Sequence, residues 1–278
     1  MSNLTRQEIG VLAQHAARTA GQLIRQIFLD TGSEASLGIE EKHGHTDIVT
    51  RADREAEAVI WKLLREGMPN SRILGEEGGW QGEGEVIWYV DPVDGTSNFA
   101  SGLPLFCVSI AATKADGSPL AAAIYDPMAD EMFACWGGAL HLNGAPLQPV
   151  IRATTDRNAE VLSNLPREGK VLVEEEFAHL ARLFQNFRAV RRIGSAALQL
   201  AYVAVGRAAV NYDRGCHPWD LAAGLQLIKA TGGQIRAWDK ESGAVMADPM
   251  RNMAQIDRIV TTTPGYELDG SAVLGDWA

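Results

Sequence analysis

The 278-residue chain reads as an α/β protein built in layers. Three observations carry that reading. Residues 160–262 alternate strand-like and helix-like stretches, residues 107–136 hold three strand patterns in succession, and the chain opens with two segments of amphipathic helical spacing. Such alternation builds sheets covered by helices around shared cores. The length suits one large domain made of two joined halves that divide near residue 150, and no Pro/Ser/Gly-rich linker separates them.

Residues 4–29 have the spacing of an amphipathic helix and lack the charged start, apolar run and cleavage site of a secretory leader. Asp30-Thr31-Gly32 should end it. Residues 33–45 are polar and Gly-punctuated, a loop or hairpin whose Lys42 and His43 either lean over an anion or sit in solvent. A second amphipathic helix covers 53–66, with Ala56, Val59, Ile60, Leu63 and Leu64 on its apolar side and Thr50 or Asp47 as its cap. Arg72-Ile73-Leu74 is a short strand closed by Gly75-Glu76-Glu77-Gly78-Gly79. Val86-Ile87-Trp88-Tyr89-Val90 is a buried strand by its continuous β-branched and aromatic content. Pro92 has no N–H and a fixed φ, so this strand should stop there and place Asp91 and Asp94 at a strand-end corner. Gly95-Thr96-Ser97 then offer amides and hydroxyls suited to open a helix and hold an anion.

Strand patterns follow at 107–112, 120–125 and 131–136, broken by Asp116-Gly117 and Asp126-Pro127. This meander is scaffold, and its Trp and Phe residues could supply an interface. Residues 140–147 add a short strand with Asn143-Gly144 as its turn. Strands near 160–163, 189–192, 208–212, 234–238 and 258–262 then alternate with helices over 174–187, 195–205 and 218–230.

A net charge of −10 argues against a broad surface for nucleic acid or anionic membrane, which needs clustered Lys and Arg. Apolar stretches break well before the length of a membrane span, so a cytoplasmic protein is expected. Cys107, Cys135 and Cys216 fit neither a disulfide framework nor a zinc pattern and read as small buried side chains. Acids stand at three element ends: Glu76 with Glu77, Asp91 with Asp94, and Asp220 just after Pro218. Each alone passes for a polar turn. Converging in space beside the amides of Gly95 and Thr96, they would make an oxygen-rich site for a hard divalent cation and a phosphate.

Gly75-Glu76-Glu77-Gly78, the run from Asp91 to Phe99 and the run from Pro218 to Gly224, in this order and with these separations, resemble the inositol monophosphatase family of Mg²⁺-dependent, lithium-sensitive phosphatases. The resemblance covers nearly the whole chain and includes Thr46-Asp47-Ile48-Val49-Thr50 with Asp53, Val108-Ser109-Ile110, Gly138-Ala139 and Asn143-Gly144. It implies a layered αβαβα sandwich, a homodimer and a site with two or three Mg²⁺. It further implies that Glu76, Asp91, Asp94 and Asp220, with the Val93 carbonyl, are the metal ligands, Asp91 bridging two ions. Asp47 is given the task of pairing with Thr96 to orient or deprotonate the attacking water, with Glu76 completing the catalytic set. The Gly95 and Thr96 amides would hold phosphoryl oxygens. Gly194, Ser195 and Ala196, opening a helix, and Asp213, before the next turn, are the candidates for the rest of the substrate.

The expected reaction is Mg²⁺-dependent hydrolysis of a small phosphomonoester, foremost myo-inositol monophosphate, by direct attack of metal-activated water. Fructose bisphosphate, histidinol phosphate and a nucleotide 3'-phosphate are alternatives hosted by related families. The Asp-x-Asp-x-Thr signature of haloacid dehalogenase-like phosphatases does not fit, because Asp91 and Asp94 are three apart with Pro92 between them. Inositol-cleaving relatives commonly have Glu where this chain has Asp213, one methylene shorter, which leaves inositol specificity open. Ser163, Asn164, Arg191 and Arg192 are further candidates for substrate contact, while Trp219 and His217 read as structural. From another class comes a regulatory protein that keeps the fold and acts through a partner, including a transcription complex. It predicts lost ligands or a basic docking face.

Overall fold

Small side chains decide how the first layer is laid down. In the computed structural model of the protein, which describes residues 4–30, 38–42, 48–166 and 174–277, the chain opens with helix α1 (Arg6–Asp30). Its buried stripe is Ala13, Ala16, Ala17, Ala20 and Gly21. A Cβ on Gly21 would meet the Tyr125 ring at 2.4 Å, so the helix lies closer to the sheet than a larger residue would allow. β1 (Glu40–Glu41) and β2 (Ile48–Val49) pair antiparallel, the hairpin alternative for that stretch. His43 and Asp47 lie outside the described residues. α2 (Arg51–Gly67) packs beside α1 through Ala52, Ala56, Ile60 and Leu64. Thr50 is its cap: the hydroxyl accepts from the Ala52 N–H at 3.2 Å, and the Asp53 carboxylate accepts the Thr50 N–H at 2.8 Å. Such a reciprocal cap is worth about 1 kcal/mol.

The helix pair covers one face of an eight-stranded sheet. Its strands are β3 (Ser71–Gly75), β4 (Gly79–Gly82), β5 (Val86–Asp94), β6 (Cys107–Lys114), β7 (Pro119–Asp126), β8 (Glu131–Trp136), β9 (Ala139–Leu142) and β10 (Ala145–Pro146), in the order β10-β9-β8-β7-β6-β5-β3-β4. Only β3 and β5 pair in parallel. One short helix, α3 (Thr96–Ala100), follows β5 directly. β4 was not expected from the sequence; it answers β3 as a hairpin through Gly75 and Gly79. Two of the meander aromatics pack inward, Trp136 only in part. Phe133 is fully buried against the Tyr202 ring, and Trp136 packs with the α1 cluster.

The second half contains β11 (Glu160–Ser163), α4 (Glu174–Asn186), β12 (Ala189–Arg191), α5 (Ala196–Ala204), β13 (Val210–Arg214), α6 (Pro218–Thr231), β14 (Ile235–Asp239) and β15 (Ile256–Thr262). Its sheet runs β12-β11-β13-β15-β14, with β12, β11 and β13 mutually parallel. α5 and α6 lie between the two sheets, which explains why they are apolar nearly all round. α4 covers the outer face, where Leu183 and Phe187 pack with Tyr212, Trp238 and Val260. The layers are therefore helix, sheet, helix, sheet, helix. Among the described residues no helix is long and apolar enough to cross a membrane.

Candidate active site

β5 runs on through Asp91 and ends at Asp94. Asp91 pairs with Ser109 and Asp94 with Cys107, and the register shifts between them. Pro92 and Val93 occupy that irregularity, where a missing N–H costs the ladder nothing. The expected corner is thus a bulge in the last residues of a nine-residue strand, with Asp94 at the strand end as expected and Asp91 within it. Its consequence is convergence. Ligand oxygens of Asp91, Asp94 and Asp220 all lie within 4.8 Å of one another. Asp220 arrives from the first turn of α6, where its Oδ2 accepts the His217 N–H at 2.7 Å.

Burial is the largest cause that lifts the Asp91 and Asp220 carboxyls well above the ordinary range, and neighbouring carboxylates add to it. Asp94 is raised by burial too, but the Ser195 hydroxyl and two helix amides oppose the shift. Glu76 stands beside them, tied to β5 by its N–H to the Val90 carbonyl at 3.1 Å. Burial pushes its carboxyl up to about 7, although Lys42 pairs with Oε1 at 3.0 Å and pulls the other way. Lys42 also pairs with Glu77. Asp91 Oδ2 and Asp220 Oδ1 have no hydrogen-bond donor among the described residues. An all-oxygen set of crowded acids with unused lone pairs fits a hard divalent cation, which would relieve the repulsion. Glu76, Asp91, Asp94 and Asp220 could hold it.

Thr96 has a described acid partner that the sequence reading did not give it. Thr96 Oγ1 lies 3.1 Å from Asp53 Oδ1 and 3.0 Å from the Val93 carbonyl oxygen. Among the described residues Asp53 is therefore an acid paired with Thr96, while the expected Asp47 lies outside them. One Asp53 oxygen caps α2 through Thr50 while the other meets Thr96, so the helix start fixes the carboxylate. Burial raises its pKa. The signal was present as Thr50-x-x-Asp53, a capping-box spacing read only as a helix start. Val93 keeps a second lone pair on its carbonyl beyond the Thr96 contact. Gly95, which opens α3, has φ +106°, and a Cβ there would press on the Leu105 carbonyl oxygen at 2.8 Å.

Ser195 and Ala196 turn toward a carboxylate of the protein. The Ser195 hydroxyl donates to Asp94 Oδ2, the Ala197 N–H reaches the same oxygen at 2.7 Å, and the Ala196 N–H reaches Oδ1 at 3.2 Å. Asp94 is thus held at the N-terminus of α5, whose dipole favours the negative charge. Cys107 joins this corner, its Sγ 3.7 Å from both Asp94 Oδ2 and Ser195 Oγ, a polar role that the expectation of a small buried spacer missed. Gly194 donates its N–H to Asn164 Oδ1 at 3.0 Å, and Asn98 Nδ2 donates to the Ile193 and Leu105 carbonyls, each at 2.7 Å. Asp213 is 2% exposed. Its Oδ1 accepts the Asn164 N–H at 2.9 Å, its Oδ2 accepts from Gln199 Nε2 at 2.8 Å, and burial pushes its pKa up to about 7. Each oxygen thereby accepts one bond from the protein, and Asp213 still lines the cleft.

These groups border one cleft of about 560 Å³. Glu76, Asp91, Asp94 and Thr96 line one side, and Asn164, Arg192 and Arg214 contribute to the other. Ser163 and Arg191 are not part of the wall; the Ser163 hydroxyl accepts from the Leu165 N–H instead. Trp219 is stacked on His217 at 4.8 Å and 12°, and both edge the cleft.

A five-layer α/β sandwich whose central strand bulges to gather carboxylates, beside an acid–hydroxyl pair, belongs to the class that handles phosphate with hard cations. The comparisons with known proteins make the class specific. The inositol monophosphatase family matches residues 5–264, and the chain belongs to that family of phosphatases. It is 39% identical over 224 residues to the Nus factor SuhB of Xylella fastidiosa, covering 79% of this chain and 78% of that protein. It is 35% identical over 238 residues to an inositol-1-monophosphatase of Synechocystis, covering 82% of each. Among solved structures, the extragenic suppressor protein suhB of Bartonella henselae superposes with a TM-score of 0.81 at 29% identity, covering 96% of this chain and 98% of that one.

Proposed function

We propose that the protein is a Mg²⁺-dependent phosphomonoesterase that hydrolyses a small phosphorylated cyclitol or sugar in the cytoplasm. The observation that carries this reading is the approach of Asp91, Asp94 and Asp220 within 4.8 Å beside the Thr96–Asp53 pair. Two or three Mg²⁺ held by Glu76, Asp91, Asp94, Asp220 and the Val93 carbonyl would supply charge neutralisation and water activation. Thr96 Oγ1 donates to Asp53 Oδ1 and presents its lone pair to the attacking water. The water proton passes to this pair as its oxygen attacks phosphorus in line with the ester oxygen. The P–O ester bond breaks, the leaving alkoxide oxygen takes a proton from solvent water, the pair returns its proton to solvent, and inorganic phosphate remains. Gly95 and Thr96 amides hold the phosphoryl oxygens during the displacement.

Myo-inositol monophosphate is the reference substrate, supported by the name of the Synechocystis relative. Phosphate release should be measured from inositol, sugar, histidinol and nucleotide phosphates, with Mg²⁺, with chelator, and with Asp94→Asn. Turnover that needs Mg²⁺ and fails in the variant is expected. A homodimer is part of the reading, carried over from the family resemblance, and light scattering measures it. The SuhB relative favours a second reading, in which the chain acts through a transcription complex. A folded, Mg²⁺-binding protein with no turnover on any ester would favour that one.

A further inference from the structure

Asp53, Glu57, Trp61 and Arg65 follow one another along α2 at a constant spacing of four, and positions four apart share one face of a helix. Asp53 reaches Thr96. The other three meet the β3–β4 hairpin, whose turn carries Glu76. Glu57 Oε1 accepts the Glu77 N–H at 3.2 Å and the Gly78 N–H at 3.3 Å. The Trp61 ring lies against Gly75 and Gly78: a Cβ on Gly75 would come within 3.2 Å of it, and one on Gly78 would run into it. Arg65 Nη2 donates to Gln81 Oε1 of β4 at 2.7 Å.

Glu57 is 6% exposed, and an acid so buried costs folding energy unless donors meet it. The donors it finds are the two amides that follow Glu76. A Cβ on Gly75 would overlap Glu57 Oε1, so the glycines on either side of Glu76 and Glu77 make room for Glu57 and Trp61. The sheet alone holds this hairpin weakly, because β4 is a short edge strand that pairs only with β3. Glu76 is tied to β5 by its own N–H, at 3.1 Å from the Val90 carbonyl oxygen. The turn is therefore gripped by β5 at Glu76 and by α2 just beyond it. From that grip the Glu76 side chain lines the cleft with Asp91 and Asp94, whereas Glu57 is not part of the wall.

We infer that Glu57 is a positioning residue for the metal site: by holding the Glu77 and Gly78 amides it sets where the Glu76 carboxylate stands relative to Asp91. One rigid element then fixes two parts of the site, the Thr96–Asp53 pair through the first turn of α2 and Glu76 through the second. The inference rests on the phosphatase reading above in taking Glu76 as a Mg²⁺ ligand. The role needs the acceptor oxygen of Glu57 and not its charge.

The test is calorimetric titration of Mg²⁺ into the wild-type chain, Glu57→Ala, Glu57→Gln and Gly78→Ala, at a temperature where unfolding curves show each to be folded. Glu57→Ala leaves two amides without their acceptor and should raise the Kd for Mg²⁺ by about tenfold or more. Glu57→Gln keeps an acceptor oxygen and should stay within about twofold of the wild type. Gly78→Ala lifts the turn through its clash with Trp61 and leaves Glu57 intact. It should weaken Mg²⁺ binding as Glu57→Ala does, and it keeps the test usable if Glu57→Ala fails to fold. On a Glu76→Gln background, Glu57→Ala should change the Kd by less than about twofold, because the side chain it places is already altered. Unchanged Mg²⁺ affinity in the folded variants, even with a lowered Tm, would overturn the inference while sparing the phosphatase reading. Binding by Glu57→Gln as weak as that of Glu57→Ala would overturn it too. A wild type that binds no Mg²⁺ would remove both.

Discussion

Asp53 does two jobs with two oxygens, capping α2 through Thr50 and meeting Thr96 at 3.1 Å. That economy hid it. A Thr-x-x-Asp spacing is fully explained by a helix start, so nothing in the local pattern demanded a second role; the task the resemblance gives to Asp47 falls on a residue outside those described. The metal-type acids were legible for the opposite reason: Glu76, Asp91, Asp94 and Asp220 all stand where apolar patterns stop, and polar groups at such places need a purpose. Gly95 is equally readable, since a left-handed φ of +106° is needed next to the bulge. Gly95→Ala should destabilise the protein by about 1–3 kcal/mol, through backbone strain and the clash with Leu105, as read by urea unfolding. Substitution without loss of stability would mean that the turn relaxes freely.

The elements came through in outline, and the errors lie where tertiary pairing overrides local rules. Pro92 was expected to stop β5, yet β6 pairs with both Asp91 and Asp94 and absorbs Pro92 and Val93 in a register shift. Local propensity cannot foresee such a partner. Likewise the opening of α5 was read as facing substrate, and Gly194 and Ala196 do line the cleft, where the helix start offers its amides to an anion. It does receive one, but the anion is Asp94 of the same chain. Ser195→Ala removes both the cap of α5 and a donor to that carboxylate. It should cost about 1 kcal/mol of stability, and it should weaken Mg²⁺ binding by leaving Asp94 less firmly placed. Calorimetric titration with Mg²⁺ measures the second effect; unchanged affinity would confine Ser195 to capping.

The five layers bring the two halves together around buried acid, and this sets how stability responds to pH and metal. Glu76 and Asp213 are raised to about 7, above the ordinary carboxylate value of about 4. Between those values the folded state holds more protons than the unfolded state, so stability falls as pH rises through that window. In chelator, Tm should therefore decline from about pH 5 to about pH 8, the reverse of a protein held by paired carboxylates. Mg²⁺ should restore it at the upper end, by about 2.7 kcal/mol at a hundredfold excess over its Kd. A Tm that climbs with pH in chelator would contradict the picture of uncompensated acids. The αβαβα architecture itself followed from the resemblance, since the alternation of elements fixes layers but not which sheet each helix covers. The decisive measurement is kcat for phosphate release by Asp53→Asn, with Asp47→Asn beside it, at saturating Mg²⁺ and with Mg²⁺ binding confirmed in both. Asp53→Asn should lower kcat by about 10²–10⁴, and Asp47→Asn reads separately the task that the resemblance gives to that residue. Full activity in Asp53→Asn, with the loss falling on Asp47→Asn, would show that the pair at Thr96 is not the one that takes the proton.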